Sequence, residues 1–256
     1  MNGIEIDIND LNPVLFDYQK AIVKKALKTK RFCLFEACGM GKTLQQLEWA
    51  HQVATFTNKP VLIVAPLGVT AQTAYEEAPL LGYEVKVLRD SFTIDKGLYI
   101  TNYEQLENID TSVLSGVVLD ESSILKNFTG KTRVRLSKAF ENTEYKLCCT
   151  ATPAPNDLME LLNHADFLGI MSTAQALANY FINDMKTGLY RLKGHATKDF
   201  YRWCCTWSVN IESPKDLGFE AKYYVLPELI EANVIIDIDV IDDSFEHGLF
   251  REVGTS

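Results

Sequence analysis

An apolar stretch, a short loop with two glycines and a helical stretch follow one another directly over residues 31–55. Glycine lets a loop turn its N–H groups toward an anion, and a helix that begins immediately afterwards adds the positive end of its dipole. A lysine and a hydroxyl residue at the end of such a loop supply a cation for phosphate and an oxygen for magnesium. The succession therefore predicts an α/β domain that binds phosphate at this loop. The loop reads Glu36-Ala-Cys-Gly39-Met40-Gly41-Lys42-Thr43.

The loop departs from the commonest phosphate-binding motif at one position. That motif has glycine where this chain has Glu36, so a glycine turn that precedes a lysine by chance is the alternative interpretation. The strand before the loop and the helix after it favour phosphate binding. We therefore expect ATP to contact the turn and the beginning of the helix. These ATP-binding residues are Gly39, Met40, Gly41, Lys42 and Thr43.

A second apolar run ends in two adjacent carboxylates. The sequence Val117-Val-Leu-Asp120-Glu121 places Asp120 78 residues after Lys42. In phosphoryl-transfer enzymes an acid at such a strand end binds magnesium, and a second acid prepares the attacking water. A pair that only caps a turn is the alternative. Beside a phosphate loop, the pair predicts an ATPase in which Lys42, Asp120 and Glu121 are catalytic and Thr43 and Asp120 bind Mg²⁺.

Short apolar runs alternate with helical stretches up to about Met171. Such alternation indicates a parallel sheet covered on both faces, with ligands at the carboxyl ends of the strands. The predicted strands are residues 31–36, 60–65, 84–88, 97–101, 116–120 and 145–150. The predicted helices are residues 16–28, 42–55, 70–81, 131–142 and 156–167.

The pattern changes after about Met171. The stretches ALANYFINDM and KDFYRWCCTW predict aromatic-rich helices within about residues 172–210. We expect one ATP-binding domain over residues 1–226, followed over residues 227–256 by an acidic linker or the beginning of a second domain. This last segment carries eight acids and one base, so most of the net charge of −9 lies there. The nearly neutral remainder can still hold local basic patches for phosphates.

The composition disfavours membrane proteins and zinc proteins. No apolar run is long enough to cross a bilayer, and the N-terminus lacks the pattern of a secretory signal. We therefore expect a soluble protein of the cytoplasm, in a bacterial or phage-infected cell, without a membrane partner. The six cysteines include two adjacent pairs and no Cys-x-x-Cys motif, which favours reduced thiols over a zinc site.

The order of six short segments over residues 12–226 resembles superfamily-2 helicases, and most closely Swi/Snf-type DNA translocases. The glycine loop resembles the family's Asp-Glu-Met-Gly-Leu-Gly-Lys-Thr loop. Residues 120–127 resemble its Asp-Glu-Ala-His box with the Ile-Lys-Asn that follows, and residues 150–156 resemble its Thr-Gly-Thr-Pro-x-x-Asn segment. The other three segments are Asp17-Tyr-Gln19, Val61-Leu-Ile-Val-Ala-Pro66-Leu and Ile100-Thr-Asn-Tyr103-Glu.

The resemblance implies a fold, a cofactor and partners. The fold is a RecA-like P-loop NTPase domain, a mostly parallel, twisted sheet with helices on both faces, which forms the first half of a motor. The cofactor is Mg-ATP, and the partners are double-stranded DNA and a second RecA-like domain in cis or in trans. Gln19 is implied to contact adenine, and Thr150 and Thr152 to couple the ATP state to domain movement. The implied nucleic-acid contacts are Pro66, Tyr103, Lys126, Asn127 and Lys131.

Two residues depart from the family pattern. Ser123 replaces the usual histidine of the Asp-Glu-x-His box, which weakens the inference about how hydrolysis is coupled to the second half, and Ala151 replaces the usual glycine. Residues 192–203 and 213–218 resemble small phage and prophage helicases of this type. The lysines and arginines that cluster in residues 20–31 are best interpreted as a solvated helix face. Those in residues 126–138 fit a solvated face and a DNA contact equally well.

Three functions remain open from the sequence. A complete motor would translocate on double-stranded DNA, or unwind DNA or RNA. A nucleotide-switched module would bind DNA without motor activity, and an adaptor would dock on DNA regardless of ATP. The intact loop and acid pair favour an enzyme. Because a second half supplies arginine fingers that contribute on the order of 10³–10⁵ in rate, we expect this chain alone to be nearly inactive.

Overall fold

The computed structural model describes residues 3–88, 94–126, 131–154, 157–184 and 188–224. Residues 1–224 belong to one compact unit. The segment expected to be an acidic linker lies outside the described residues, so its role stays a prediction. In the part of the chain that the structure describes, each helix is too short or too polar to cross a membrane.

A seven-stranded sheet forms the centre of the compact unit. The described strands are β1 (Arg31–Glu36), β2 (Val61–Ala65), β3 (Val85–Val87), β4 (Leu98–Asn102), β5 (Gly116–Asp120), β6 (Tyr145–Thr150), β7 (Phe181–Asn183), β8 (Tyr190–Leu192) and β9 (Ser208–Ile211). The order across the sheet is β3-β4-β2-β5-β6-β1-β9. Every neighbouring pair in it is parallel, which confirms the predicted α/β fold.

Helices cover both faces of this sheet. They are α1 (Asp17–Thr29), α2 (Lys42–Thr57), α3 (Leu67–Gln72), α4 (Lys131–Ala139), α5 (Glu160–Leu168), α6 (Thr173–Tyr180) and α7 (Thr197–Trp207). Alternate residues of β1 enter two separate buried clusters, because successive side chains of a strand point to opposite faces. Phe32 packs with Leu47 and Trp49 of α2, whereas Phe35 packs with Phe200 and Trp207 of α7.

Strand order places three loops side by side at the carboxyl edge of the sheet, the side on which the parallel strands end. β6 lies between β5 and β1, and all three strands run in the same direction. The segments that follow them therefore leave the sheet side by side. Burial explains why the sequence forms strands here, since all six residues of β6 are buried and their apolar side chains contribute to both clusters.

Two parts of the predicted secondary structure were wrong or incomplete. The prediction omitted β9, whose sequence Ser-Val-Asn-Ile is short and half polar. This segment pairs with β1 and forms the outermost strand of the sheet. The prediction extended a helix through ALANYFINDM, but α6 ends at Tyr180, and Phe181–Asn183 pairs antiparallel with Tyr190–Leu192. Aromatic and β-branched residues at this point pack better in a hairpin than in a helix.

The helix predicted over residues 70–81 begins earlier and is irregular. It follows Pro66 at Leu67, widens into a π turn over Thr73–Glu77 and ends in a 3-10 turn over Ala78–Leu81. Pro79 lies in this last turn and has no backbone N–H, so it cannot complete an α-helical hydrogen bond. The predicted helix over residues 156–167 begins at Glu160 in the described part, and Asn156 lies outside it.

Candidate nucleotide site at the carboxyl edge of the sheet

The glycine loop turns sharply between β1 and α2. Gly39 has φ +82° and Gly41 has φ +72°, values that residues with a side chain rarely adopt. A carbon added at Gly39 would meet no described atom within 4 Å, so backbone conformation alone requires glycine there. A carbon added at Gly41 would lie 2.3 Å from Nε2 of Gln19, so the carboxamide of Gln19 would have to shift to accommodate a side chain there. The positive φ values at both glycines shape the turn between β1 and α2, and phosphate binding there stays a prediction.

Lys42 lies over the loop that precedes it. Its Nζ atom donates to the carbonyl oxygens of Glu36 at 2.8 Å and Ala37 at 3.0 Å. An ammonium group carries three donors, so one remains for a ligand. The next residue, Thr43, lies in the first turn of α2, close enough to the carboxylate of Glu77 to oppose the rise in pKa that burial gives that carboxylate.

The acid pair at the end of β5 meets α2 directly. Nε2 of Gln46 donates to Oδ1 of Asp120 at 2.7 Å. Because Gln46 lies one helical turn after Thr43, this hydrogen bond places Asp120 beside the beginning of α2. The hydroxyl of Tyr103 donates to the carbonyl oxygen of Asp120 at 2.6 Å, which fixes the end of the strand from the other side.

Glu121 has the left-handed conformation, with φ +54°. This conformation costs a residue with a side chain on the order of 1 kcal/mol or more, and such strain is common at functional sites. Two hydroxyl groups hold the carboxylate, because Thr150 and Ser123 each donate to Oε1 at 2.7 Å. Thr150 in turn accepts a hydrogen bond of 3.0 Å from the backbone N–H of Thr152. The segment after β6 therefore contacts the acid after β5.

Burial changes the ionisation of the acids around this edge. Burial raises the pKa of Asp120, and the charge of Glu121 raises it further, while Gln46 and Lys42 oppose the shift. Burial also raises the pKa of Glu77. A cation close to such buried acids favours their ionised forms and is in turn attracted by them. The oxygen donors Thr43 and Asp120 are of the kind that Mg²⁺ prefers, so the site fits that ion.

Glu36 is a buried acid beneath the loop. It is 1 % exposed, and burial raises its pKa to about 7. Gln45 donates to its Oε2 at 2.8 Å, whereas Oε1 has no hydrogen-bond partner among the described residues. Burial of a half-satisfied carboxylate is costly, so Glu36 is a point of pH sensitivity in the fold.

Gln19 is buried against the loop. It is 2 % exposed, and its Nε2 atom donates to the carbonyl oxygen of Met40 at 3.0 Å. Its Oε1 atom accepts a hydrogen bond of 2.9 Å from the backbone N–H of Phe16. Both ends of the carboxamide are thus used within the protein, and its contact with adenine stays a prediction.

The residues predicted to contact nucleic acid differ in their accessibility. Pro66 is partly exposed where α3 begins, and Lys126 is exposed after β5. Tyr103 is 5 % exposed and directed at Asp120, which leaves little of its side chain for an external partner. Asn127 lies outside the described residues, and of Lys131 only the backbone position at the beginning of α4 is described.

Several residues of the site were not found from the sequence. Gln46 could have been, because it lies three residues after Thr43 on the same helix face. Glu77 could not, since its approach depends on the π turn. His164 is buried on α5 at 3.1 Å from the hydroxyl of Ser122. Burial lowers the pKa of His164 to about 4, so this ring is neutral behind the acid pair.

Comparison with known proteins gives a family match and several structural matches. A model of the SNF2-related domain matches residues 40–198. A search of curated protein sequences finds no significant match. The Sulfolobus solfataricus SWI2/SNF2 ATPase core in complex with dsDNA is similar, with a TM-score of 0.66 and 19 % identity over 82 % of this chain and 47 % of that chain. The SWI2/SNF2 ATPase core domain of the same organism gives a TM-score of 0.63 and 18 % identity over the same shares.

A third similar structure comes from a different helicase. The Pyrococcus furiosus Hef helicase domain has a TM-score of 0.50 and 20 % identity, over 59 % of this chain and 36 % of that chain. Likeness at these identities shows a shared fold. The chain spans about half the length of the SWI2/SNF2 ATPase cores that it matches.

Proposed function

Because the chain belongs to the SNF2-related domain family, we propose that it is the ATP-binding half of a superfamily-2 motor. The motor couples Mg-ATP hydrolysis to movement on double-stranded DNA when a second RecA-like domain, in cis or in trans, completes the site. ATP and DNA are both found inside the cell, so we expect a cytoplasmic location.

One observation carries the proposal. The hydrogen bonds Gln46–Asp120 and Thr150–Glu121 join the segments that follow β1, β5 and β6 at a single edge of the sheet. A phosphate loop, a metal-binding acid and an acid that activates water must be adjacent for phosphoryl transfer to water. This adjacency supports an ATPase over an adaptor that ignores nucleotide.

Each residue of the loop has a role in holding phosphates. The backbone N–H groups around Gly39 and Gly41 donate to phosphate oxygens, and Lys42 directs its remaining N–H toward the β- and γ-phosphates. Thr43 and Asp120 hold Mg²⁺, which neutralises charge on the phosphates when it is bound. Met40 contributes its peptide unit to the same turn.

Glu121 prepares the attacking water. Its carboxylate accepts the water's proton as the water attacks the γ-phosphate and ADP leaves. The two hydroxyl donors at 2.7 Å both bind Oε1, and among the described residues Oε2 has no hydrogen-bond donor, which leaves Oε2 for this task. Thr150 and Thr152 then report on the state of the site to the segment after β6. Ser123 donates to Glu121 at the position of the family's histidine, so that part of the coupling differs here.

The nucleic-acid partner is proposed from the family and from a similar structure. The SWI2/SNF2 ATPase core from Sulfolobus is in complex with dsDNA. In this chain Pro66 and Lys126 lie near the same edge of the sheet as the acid pair and are accessible. We assign them to the phosphate backbone of the duplex, together with Asn127 and Lys131, and give Tyr103 the role of holding Asp120.

A nucleotide titration tests the proposal directly. The chain is expected to bind Mg-ATP in isothermal titration calorimetry, and Lys42→Ala is expected to abolish binding because the charge on the β- and γ-phosphates is lost. Lys59→Ala is a matched control, since Lys59 is exposed just before β2, at the opposite edge of the sheet. Absence of Mg-ATP binding to the unaltered chain would exclude the proposed function.

A further inference from the structure

One carbonyl group of the glycine loop receives three side-chain donors. The oxygen of Met40 accepts from the hydroxyl of Tyr18 at 2.7 Å, from Nε2 of Gln19 at 3.0 Å and from Nε2 of Gln45 at 3.3 Å. A carbonyl oxygen has two lone pairs, and one hydrogen bond is enough to satisfy it. Three donors from two helices therefore fix the orientation of this peptide rather than merely satisfy it.

The orientation of this carbonyl decides where the next N–H points. The Met40–Gly41 peptide is trans, and in a trans peptide the C=O and N–H bonds point in opposite directions. Donors from α1 hold the Met40 oxygen toward that helix. The N–H of Gly41 must then point away from α1, to the side on which the loop can receive phosphate.

The hydrogen bond between the hydroxyls of Tyr18 and Tyr224 has a definite donor and a definite acceptor. Tyr18 is 3 % exposed, and burial raises its pKa, so it stays protonated. Its single proton goes to Met40, which makes Tyr18 the acceptor in its 2.6 Å contact with the hydroxyl of Tyr224. Tyr224 therefore donates, and its ring also makes edge contacts with Tyr18 and Phe16.

Tyr224 comes from a distant part of the chain. It follows β9 and the 3-10 turn Pro214–Leu217, and it packs against the same cluster as the loop residue Ala37. A hydroxyl that accepts a hydrogen bond becomes a stronger donor, because chains of hydrogen bonds polarise one another. The contact from Tyr224 thus strengthens the hold of Tyr18 on Met40.

We propose that Tyr18, supported by Tyr224, is a positioning residue that presents the N–H of Gly41 to the phosphates of the nucleotide. The inference rests on the proposed function, because it assumes that phosphates occupy this loop. It assigns Tyr18 to the polyphosphate and not to the base, although Tyr18 lies next to the residue implied to contact adenine.

The test compares a nucleotide with its phosphates alone. Binding of Mg-ATP and of magnesium tripolyphosphate to the full chain is measured by calorimetry for the unaltered protein, Tyr18→Phe and Tyr224→Phe. Loss of one hydrogen bond corresponds to a few-fold to about tenfold loss of affinity. Tyr18→Phe is expected to lower the affinity for both ligands by the same factor, about threefold to tenfold. Tyr224→Phe is expected to lower both affinities by about twofold.

A double variant and a control separate positioning from general stability. Because Tyr224 acts only through Tyr18, Tyr18→Phe combined with Tyr224→Phe is expected to match Tyr18→Phe alone. Tyr83→Phe is the matched control, since it removes a partly buried hydroxyl that donates to Glu48 at 2.5 Å, away from the loop. It is expected to leave both affinities unchanged.

The outcomes distinguish this inference from the proposed function. Weakened Mg-ATP with unchanged tripolyphosphate would assign Tyr18 to the base and overturn the inference. Equal affinities for Tyr18→Phe and the unaltered chain, with binding still lost in Lys42→Ala, would overturn it while the proposed function stands. Absence of binding to the unaltered chain would overturn both. Should Tyr18→Phe fail to fold, the effect of Tyr224→Phe on tripolyphosphate decides in the same way.

Discussion

The hydroxyl of Thr150 donates a 2.7 Å hydrogen bond to Oε1 of Glu121. The donor is fixed in direction, because the oxygen of Thr150 itself accepts from the backbone N–H of Thr152. Glu121 is therefore held from the neighbouring strand in its left-handed conformation. Movement of the segment after β6 would change the position of the acid that prepares the water.

Removing this donor should slow hydrolysis without affecting nucleotide binding. Thr150→Val keeps the shape of the side chain and loses the hydroxyl, and a hydrogen bond to a charged group contributes about 1.5–3 kcal/mol. We expect single-turnover hydrolysis of Mg-ATP to fall at least about tenfold, with the dissociation constant unchanged. Thr150→Ser restores the donor and should restore the rate. A normal rate in Thr150→Val would show that the contact has no part in hydrolysis.

Glu121→Gln separates an enzyme from a nucleotide switch. The amide cannot accept a proton from water, and a general base contributes about 10²–10⁴ in rate. We expect the slow hydrolysis of the isolated chain, measured under single-turnover conditions with and without duplex DNA, to fall at least about 100-fold while Mg-ATP binding is kept. If the unaltered chain and Glu121→Gln release phosphate at the same rate, the acid is not a base and the switch becomes the better interpretation.

The main sheet and the glycine turn after β1 could be predicted because their signals are local. β1, β5 and β6 are short apolar runs with the predicted bounds, and glycines mark the loop between β1 and α2. The edge strand β9 could not, since only its pairing with β1 distinguishes Ser208–Ile211 from a polar loop. The contacts Tyr18–Tyr224 and Gln46–Asp120 join residues far apart in sequence, and such pairs follow from tertiary packing alone.

The buried acid Glu36 should make stability depend on pH. Its pKa is raised from 4.5 to about 7 in the folded chain, so between these values the folded state holds more protons than the unfolded state. Stability therefore falls as the pH rises through this window, and is level above it. Glu36→Gln removes the charge. The free energy of unfolding of this variant relative to the unaltered chain should increase by roughly 2–3 kcal/mol from pH 5 to pH 8.

Denaturant unfolding at several pH values measures this difference. Using the difference between the two proteins cancels the contributions of other titrating groups that both share. The neutral His164 is one such group, because its lowered pKa of about 4 makes stability fall as the pH drops below its unfolded value. A difference that stays constant across the window would mean that Glu36 ionises normally in the folded chain.

Glu77 should support the magnesium-dependent part of nucleotide binding. Its carboxylate accepts from Thr73 at 3.1 Å and lies close enough to Thr43 and Asp120 for each to shift its pKa. When this carboxylate accepts a hydrogen bond from the hydroxyl of Thr43, the lone pairs of that hydroxyl oxygen stay available for a cation. We expect Glu77→Ala to weaken binding of Mg-ATP about threefold to tenfold, and binding of ATP in excess EDTA little. Glu76→Ala, at the exposed neighbouring position, is the control. Equal losses with and without magnesium would assign Glu77 to the loop structure instead.

Lys126 should contribute one phosphate contact to DNA binding. It is exposed after β5, and Asn163 of α5 holds its carbonyl oxygen at 2.9 Å, so its side chain begins from a fixed point. Each phosphate contact adds about 0.9 to the slope of log affinity against log salt, because it releases condensed counterions. Fluorescence anisotropy with a short duplex between about 50 and 200 mM salt should show weaker binding by Lys126→Ala and a slope reduced by about one contact. Lys59→Ala, at the opposite edge of the sheet, should keep the slope. The same slope in both variants would remove Lys126 from the DNA-binding surface.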